Sequence, residues 1–295
     1  MRKLLYLVLF LINNLYAQVD IDFFSEQLMS KNNVKRAISY YMDEDSILDT
    51  INIIQSHFDK KGRLIEHIEI NQELIKANFV QIKTTTKYHF EEDKMVCAKK
   101  YRDFELVEKV IKEFNEENKL KKEKHFLNDK LIYLWEYSYD NIGNKTMFIK
   151  TLESGEVDTI SYSYEYNDDN RIVKMFKGNV LIKYFEYDDM GREIYMEEYS
   201  PTGNKVFEFY LQYYPDSTIK DQLTQKDLLN HQTYRWTYYY DDSWKLLRET
   251  AYPSKTVWKY VYNKDGLLIW SEINNNISEY LDGWKYEYEF YDSYP

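Results

Sequence analysis

The stretch that decides the fold is KYFEYDDMGREIYMEEYSPTGN, which runs from Lys183 to Asn204. An alternating strand ends at Tyr187, a tight turn follows through Asp188 to Gly191, and a second alternating strand leads to another turn at residues 200–203. Alternation with a period of two indicates β-strands, and turn residues between two such strands indicate a hairpin. The stretch therefore predicts two consecutive β-hairpins.

The same main turn recurs through the chain. It has an aromatic residue, then Asp or Asn, and in most copies Gly or Asn four residues after the aromatic one; copies begin at Phe58, Phe114, Tyr139, Tyr166, Tyr187, Tyr240 and Tyr262. Asp and Asn start turns by bonding their own backbone, and Gly and Asn tolerate positive φ. We therefore interpret the acidic pairs in these turns as turn residues and not as calcium ligands: Asp168-Asp169, Asp188-Asp189 and Asp241-Asp242.

The spacing of these turns indicates a repeat. Tyr139 and Tyr166 are 27 residues apart, and Tyr166 and Tyr187 are 21 apart. A drifting period of this size indicates one supersecondary unit per repeat, with length changes absorbed in loops. Shorter secondary turns lie between the main ones, at residues 127–130, 153–156, 177–179, 200–204 and 252–256.

The strands between the turns have one aromatic and one polar face. Aromatic residues share a face in three clear cases: Tyr162, Tyr164 and Tyr166; Trp258, Tyr260 and Tyr262; and Trp284, Tyr286, Tyr288 and Phe290. Residues 206–214 carry aromatics on both faces, which predicts a bulge or burial on both sides. About twenty such strands cannot stay flat, because sheets twist. We predict an all-β fold, an antiparallel meander of repeated β-hairpins forming a curved, rolled sheet, and leave its closure open.

The first residues, MRKLLYLVLFLINNLYA, have the layout of a secretory signal peptide. Two cations precede a short apolar run, and the small residue Ala17 suits cleavage before Gln18. We expect a signal peptide at residues 1–17, a lead-in at 18–33 with one helical turn at Phe24 to Met29, and a single β-repeat domain at 34–295. The expected location is the periplasm, the cell surface or the medium.

Composition excludes several classes of function. The chain has a net charge of −11, which becomes −13 without Arg2 and Lys3, so we expect no binding to nucleic acid. It has 31 Tyr, 15 Phe and 6 Trp against 8 Gly and 4 Pro, a strand-forming composition that argues against disorder. The single cysteine, Cys97, permits no intramolecular disulfide, and we interpret it as a buried small hydrophobe.

The stretch from Lys183 to Asn204 also carries a family resemblance. Tyr187-Asp188, then Gly191-Arg192 and later Pro201 and Gly203, resemble the YD repeat of Rhs-type and teneurin-type proteins. The spacing of the repeated turns extends this resemblance from Val34 to the C-terminus. The chain as a whole resembles a small secreted YD-repeat protein. It implies a spiralling β-sheet, which in the large members encloses a cargo domain or forms an adhesion barrel. This chain is too short for such a shell and has no Asp-Pro-x-Gly near its end, so cargo release is not carried over.

Motifs for chemistry are absent from the sequence. There is no G-x-S-x-G elbow, P-loop or Rossmann fingerprint, and the five histidines are His57, His67, His89, His125 and His231. His57 and His67 flank the Phe58 turn and are predicted to face each other across a hairpin, but a zinc site would need further ligands. We predict no enzyme activity, no cofactor, no metal site and no catalytic residues.

Three hypotheses for function remain. The first is a structural or protein-interaction protein of the bacterial envelope or exterior. The second is a carbohydrate-binding module, because aromatic faces stack on sugars; its candidates are Trp135, Trp236, Trp258, Trp270 and Trp284, although an aromatic stripe with period two is more often core. The third is an outer-membrane barrel, against which the polar faces carry many Lys and Glu. The sequence identifies neither a ligand nor an oligomeric state.

Overall fold

The structure is a computed structural model that describes residues 25–42, 48–75, 78–274 and 281–291. The predicted signal peptide and its cleavage site lie outside the described residues. The chain divides into two compact units. We call the described residues 25–180 with 284–291 the first unit, and residues 181–274 with 281–283 the second unit.

One short helix precedes the strands. It is α1 (Glu26–Lys31), and Ser25 caps it by accepting a hydrogen bond from Leu28 N at 3.2 Å. The helix begins two residues later than predicted because the cap is Ser25. Met29 is fully buried, and Gly62 approaches the helix so closely that a Cβ atom there would lie 2.0 Å from the carbonyl oxygen of Glu26.

The rest of the described chain is β-structure, as the alternation predicted. Its twenty strands are β1 (Val34–Met42), β2 (Leu48–Phe58), β3 (Leu64–Ile75), β4 (Asn78–Glu91), β5 (Lys94–Arg102), β6 (Glu105–Phe114), β7 (Leu120–Leu127), β8 (Lys130–Tyr139), β9 (Lys145–Leu152), β10 (Val157–Tyr166), β11 (Ile172–Lys177), β12 (Val180–Tyr187), β13 (Glu193–Tyr199), β14 (Lys205–Tyr213), β15 (Lys220–Asp227), β16 (Gln232–Tyr240), β17 (Leu246–Tyr252), β18 (Thr256–Tyr262), β19 (Leu268–Asn274) and β20 (Leu281–Phe290).

Within each unit, strands pair antiparallel with the next one in sequence, as in β7–β8 and β16–β17, which confirms the meander. Within the first unit, β20 also pairs with β1. In the first unit, Arg36 on β1 forms an ion pair with Glu289 on β20, and Tyr41 packs edge-to-face against Trp284 at 5.3 Å. β1 therefore has a neighbour on both sides and is not an open edge of the sheet, a point that the prediction of a rolled sheet left open.

The main turns form as their residues predict. In the turn after Tyr187, Asp188 Oδ1 accepts hydrogen bonds from Met190 N and Arg192 N, and Gly191 has φ +75°. In all seven clear copies the Asp or Asn side chain accepts from the backbone N four residues on; these residues are Asp59, Asn115, Asp140, Asn167, Asp188, Asp241 and Asn263. The interpretation of this position as turn chemistry is confirmed.

Tyrosine hydroxyls connect successive repeats. Tyr139 donates to the carbonyl oxygen of Leu120 at 2.7 Å, and Tyr240 donates to that of Lys220 at 3.1 Å. The acceptor in each case is the first residue of the strand that follows the preceding main turn. Tyr164, Tyr213 and Tyr262 make equivalent bonds, to Lys145, Glu193 and Leu246. These bonds explain part of the high tyrosine content.

The second unit has a buried core on one face of its strands. The buried members are Met196, Phe209, Leu223, Trp236, Tyr238, Leu246 and Ala251. The opposite face is polar, and Lys205 Nζ lies 2.7 Å from the Glu197 carboxylate there. β14 has Phe209 in the core, Tyr210 on the polar face and a register shift between Gln212 and Tyr213, so the predicted bulge is present.

Candidate functional site

The candidate site is the aromatic face of β7–β10 in the first unit. Five rings lie on it: Tyr133, Trp135 and Tyr137 from β8, Phe148 from β9 and Tyr162 from β10. All five are half-buried, and no residue from 83 to 180 is buried. We call these five residues the aromatic platform.

The rings of the platform pack edge-to-face. Phe148 lies at its centre, with ring centroids 6.4 Å from Trp135, 5.4 Å from Tyr137 and 5.4 Å from Tyr162. Tyr133 lies 6.3 Å from Trp135. Such pairs contribute about 0.5–1.5 kcal/mol each beyond their burial, so the rings hold one another in place. The platform is thus ordered although it is not covered.

Two lysines of β9 lie over these rings. Lys150 Nζ is 4.7 Å from the ring centroid of Tyr133 and 5.4 Å from that of Trp135. Lys145 Nζ is 4.4 Å from Tyr137 and 5.5 Å from Phe148. A cation over an aromatic face is attracted by the ring quadrupole. The platform therefore presents positive charge together with apolar surface.

A chain of hydrogen bonds holds one end of the platform. His125 Nε2 bonds the Glu123 carboxylate, and His125 Nδ1 lies 3.0 Å from the Tyr133 hydroxyl. Lys112 Nζ lies 3.8 Å from the same carboxylate. These contacts orient the Tyr133 ring, which stacks on His125 with centroids 4.3 Å apart.

The rings are partly withdrawn from water. Burial raises the pKa of Tyr137 to about 12, and the Glu123 carboxylate adds to the shift. Burial also raises the pKa of Tyr133. Both hydroxyls therefore stay protonated at neutral pH, and charges near them interact more strongly than in bulk water.

A groove of about 430 Å³ adjoins the platform at the main-turn end. Its lining includes Tyr137 and Tyr139 with the cations Lys119 and Lys121. Ligand sites are concave and combine apolar surface with a few polar groups. The groove and the platform together have this composition.

The structure separates the five tryptophans that the sequence proposed for sugar binding. Trp236 is buried in the core of the second unit, and Trp258 packs against it. Trp270 is half-buried and donates to Glu272 at 3.3 Å, and Trp284 packs on Tyr41. Of the five, Trp135 lies on the aromatic platform, between Tyr133 and Phe148.

The residues around Trp135 were not among the predicted site residues. Tyr133, Tyr137, Phe148, Lys145 and Lys150 were not singled out, nor was Trp244, a turn residue that is 51% exposed. One signal was present: Phe148 and Lys150 are two residues apart and so share a face of β9. A lysine in register with an aromatic stripe indicates an uncovered stripe, because an unpaired charge is rarely buried.

The predicted histidine pair does not form. His67 pairs with Ser56 and His57 with Glu66, so the two imidazoles lie on opposite faces of the hairpin. The register is one residue away from the one that a facing pair requires. Within the described residues, no group of three or more potential metal ligands comes together.

Cys97 is half-buried and not fully buried as predicted. It pairs with His89 on β4 and Ile111 on β6 and lines a shallow groove of about 590 Å³ with them. The reason is the same as for the platform: β5 lies in the stretch that has no buried residues.

Within the described ranges, no helix combines the length and the apolar character needed to cross a bilayer. No family model and no curated protein matches the sequence. Among solved structures, the chain is similar to a porin-like protein from Bacteroides uniformis, with 11% identity over 87% of this chain and 98% of the other, at a TM-score of 0.38.

Two further solved structures show weaker likenesses. TcdB2–TccC3 has 10% identity over 75% of this chain and 17% of the other, at a TM-score of 0.27. A DUF1329 family protein from Desulfovibrio piger has 9% identity over 88% and 87%, at a TM-score of 0.16. At TM-scores below 0.5, these likenesses carry no argument about function.

Proposed function

We propose that this chain is an exported, non-enzymatic β-repeat protein that binds carbohydrate through the aromatic platform of β7–β10. The observation that carries the proposal is that five rings, centred on Phe148 and Trp135, are ordered but remain half-exposed. Aromatic faces stack on the apolar faces of sugar rings, and hydroxyl and ammonium groups at the rim bond the sugar hydroxyls. The groove beside Tyr137 extends this surface.

The proposed location is the bacterial envelope or exterior, in an aqueous compartment. The N-terminal residues 1–17 support export. The face of β7–β11 opposite the platform carries ion pairs, with Lys122–Glu136 at 2.7 Å and Lys174–Glu165 at 2.6 Å, which weighs against a lipid-facing apolar band. N-terminal sequencing of the protein recovered from bacterial fractions tests the proposal, which requires a chain that begins at Gln18 and remains in solution without detergent.

A second candidate is a protein-interaction role. Its support is the set of apolar side chains exposed at the secondary turns of the first unit: Phe104 is 87% exposed, Val157 is 57% exposed and Leu127 is 46% exposed. Exposed apolar groups at one edge are typical of protein contacts. The resemblance of the repeat to YD-repeat proteins is compatible with either candidate.

A fluorescence titration of the fragment Gln18 to Pro295 with a panel of bacterial and host polysaccharides separates the two. We expect saturable binding that Trp135→Ala weakens about tenfold or more, since stacking contributes on the order of 1–2 kcal/mol. Trp270→Ala is the matched control, because Trp270 is half-buried in another strand and is expected to leave binding unchanged. Binding that survives Trp135→Ala rejects the platform as the binding site, and no binding to any polysaccharide rejects carbohydrate binding and favours the protein-interaction role.

A further inference from the structure

Lys145 and Lys150 differ from three lysines on the opposite face of β7–β11. Lys122, Lys124 and Lys174 each lie within 4 Å of a carboxylate, as cross-strand ion pairs do. Among the described residues, neither Lys145 nor Lys150 has a carboxylate within 4 Å, and each instead lies over two aromatic rings. An acidic chain thus leaves two ammonium groups without an ionic partner on the platform.

The acidic groups of the same face are few. Glu123 is occupied by His125 and lies 3.8 Å from Lys112. Asp158 on β10 is exposed and is the cross-strand partner of Lys150 on β9. The two described side chains form no ion pair within 4 Å. An ammonium group has three N–H donors. When it lies over an aromatic ring, one side faces the ring and the remaining donors are available to a further acceptor.

We propose that the platform selects acidic glycans, with Lys145 and Lys150 binding their carboxylate or sulfate groups while the rings stack on the sugars. This inference rests on the proposed function. The two lysines lie over Tyr137 and Tyr133, which are four residues apart on β8, so the charges are separated by about 13 Å along the strand. This separation suits an extended oligosaccharide that carries acidic groups at intervals.

The test compares polymers that differ only in charge. Isothermal titration is carried out with polygalacturonate and its methyl-esterified form, and with dextran sulfate and dextran, at low and high salt. We expect the acidic member of a pair to bind about tenfold more tightly at low salt, with the difference shrinking as salt screens the charges. The two pairs distinguish carboxylate from sulfate as the preferred group.

Two double variants assign the effect. Lys145→Gln with Lys150→Gln is expected to abolish the preference, so that the acidic and the neutral polymer bind with equal affinity. Lys122→Gln with Lys124→Gln removes two cations from the opposite face and is expected to keep the preference. An equal loss in both double variants overturns the inference, because the effect is then one of net charge.

The outcomes also separate this inference from the proposed function. Equal binding of acidic and neutral polymers, still dependent on Trp135, retains carbohydrate binding and overturns the acidic preference. Binding of neither member of any pair overturns both.

Discussion

β8 and β16 have the same sequence pattern but lie in different environments. Tyr-x-Trp-x-Tyr-x-Tyr occurs as residues 133–139 in β8 and as residues 234–240 in β16. Trp236 is 8% exposed and Tyr238 1% exposed, whereas their counterparts Trp135 and Tyr137 are half-buried. The difference shows that the pattern sets which residues share a face and does not set whether that face is covered.

The cross-strand neighbours account for the difference. Trp236 pairs with Leu223 on β15 and Ala251 on β17, both buried and apolar. Trp135 pairs with Glu123 on β7 and Lys150 on β9. Charged neighbours are costly to bury, so the face around Trp135 stays accessible while the face around Trp236 becomes core.

The largest effect is expected from removing each tryptophan. Trp236→Ala removes a buried ring and leaves a cavity, which should lower the free energy of unfolding by about 3–5 kcal/mol. Trp135→Ala removes a half-exposed ring and should cost about 1 kcal/mol. Urea unfolding followed by far-UV circular dichroism measures both. Equal costs would mean that the platform is as well covered as the core.

Local chemistry made much of the fold predictable. The turn around Asp188 follows from an Asp that bonds its own backbone and a Gly that accepts φ +75°, and both are readable from the residues. The faces of β10 follow from its period of two. The pairing of β20 with β1 and the environment of Trp135 depend on strands that are distant in sequence, and no local residue pattern contains that information.

The candidate site was predictable only in part, for the same reason. Trp135 was among the proposed sugar-binding residues, but so was Trp236, and the two look alike until the register places Lys150 beside one and Ala251 beside the other. The error over His57 and His67 has the same origin, since a shift of one residue moves a side chain to the other face.

Glu198 and Glu197 lie on the covered face and the polar face of β13 respectively. Burial raises the pKa of Glu198 from 4.5 to about 7, although Lys183 Nζ lies 3.0 Å away. Glu198 therefore ionises at a lower pH in the unfolded chain than in the folded protein. As a result, the free energy of unfolding should fall by about 2 kcal/mol between pH 4.5 and 7. In Glu198→Gln this fall should be smaller, as measured by urea unfolding at a series of pH values.

Glu197 is the matched control, because it is the next residue and lies on the opposite face. Its partial burial acts against ionisation, but hydrogen bonds from Lys205, Tyr199 and Tyr195 prevail and lower its pKa. Its contribution to stability is thus present at neutral pH and is lost as the pH falls below the ordinary carboxyl range. Glu197→Gln should destabilise the protein at pH 7 and less at pH 3. A pH profile that is the same in both variants would contradict the assignment of the two faces.

The smallest effect concerns what β8 and β16 share. Tyr139 and Tyr240 end the common pattern, and each donates its hydroxyl to a backbone carbonyl, of Leu120 and Lys220 respectively. Tyr139→Phe and Tyr240→Phe should each cost about 1 kcal/mol in the free energy of unfolding, since each removes one hydrogen bond from a partly buried carbonyl.

Tyr238→Phe provides the control for these two variants. The Tyr238 hydroxyl is buried and has no hydrogen-bond partner among the described residues, so its removal should leave the free energy of unfolding unchanged or raise it by up to about 1 kcal/mol. Similar costs at Tyr139 and Tyr240 would show that the turn-end bond contributes equally in an open and in a covered region. A cost confined to Tyr240 would instead mean that this bond stabilises the sheet only where the neighbouring face is core, and that the two regions differ in their turns as well as in their cover.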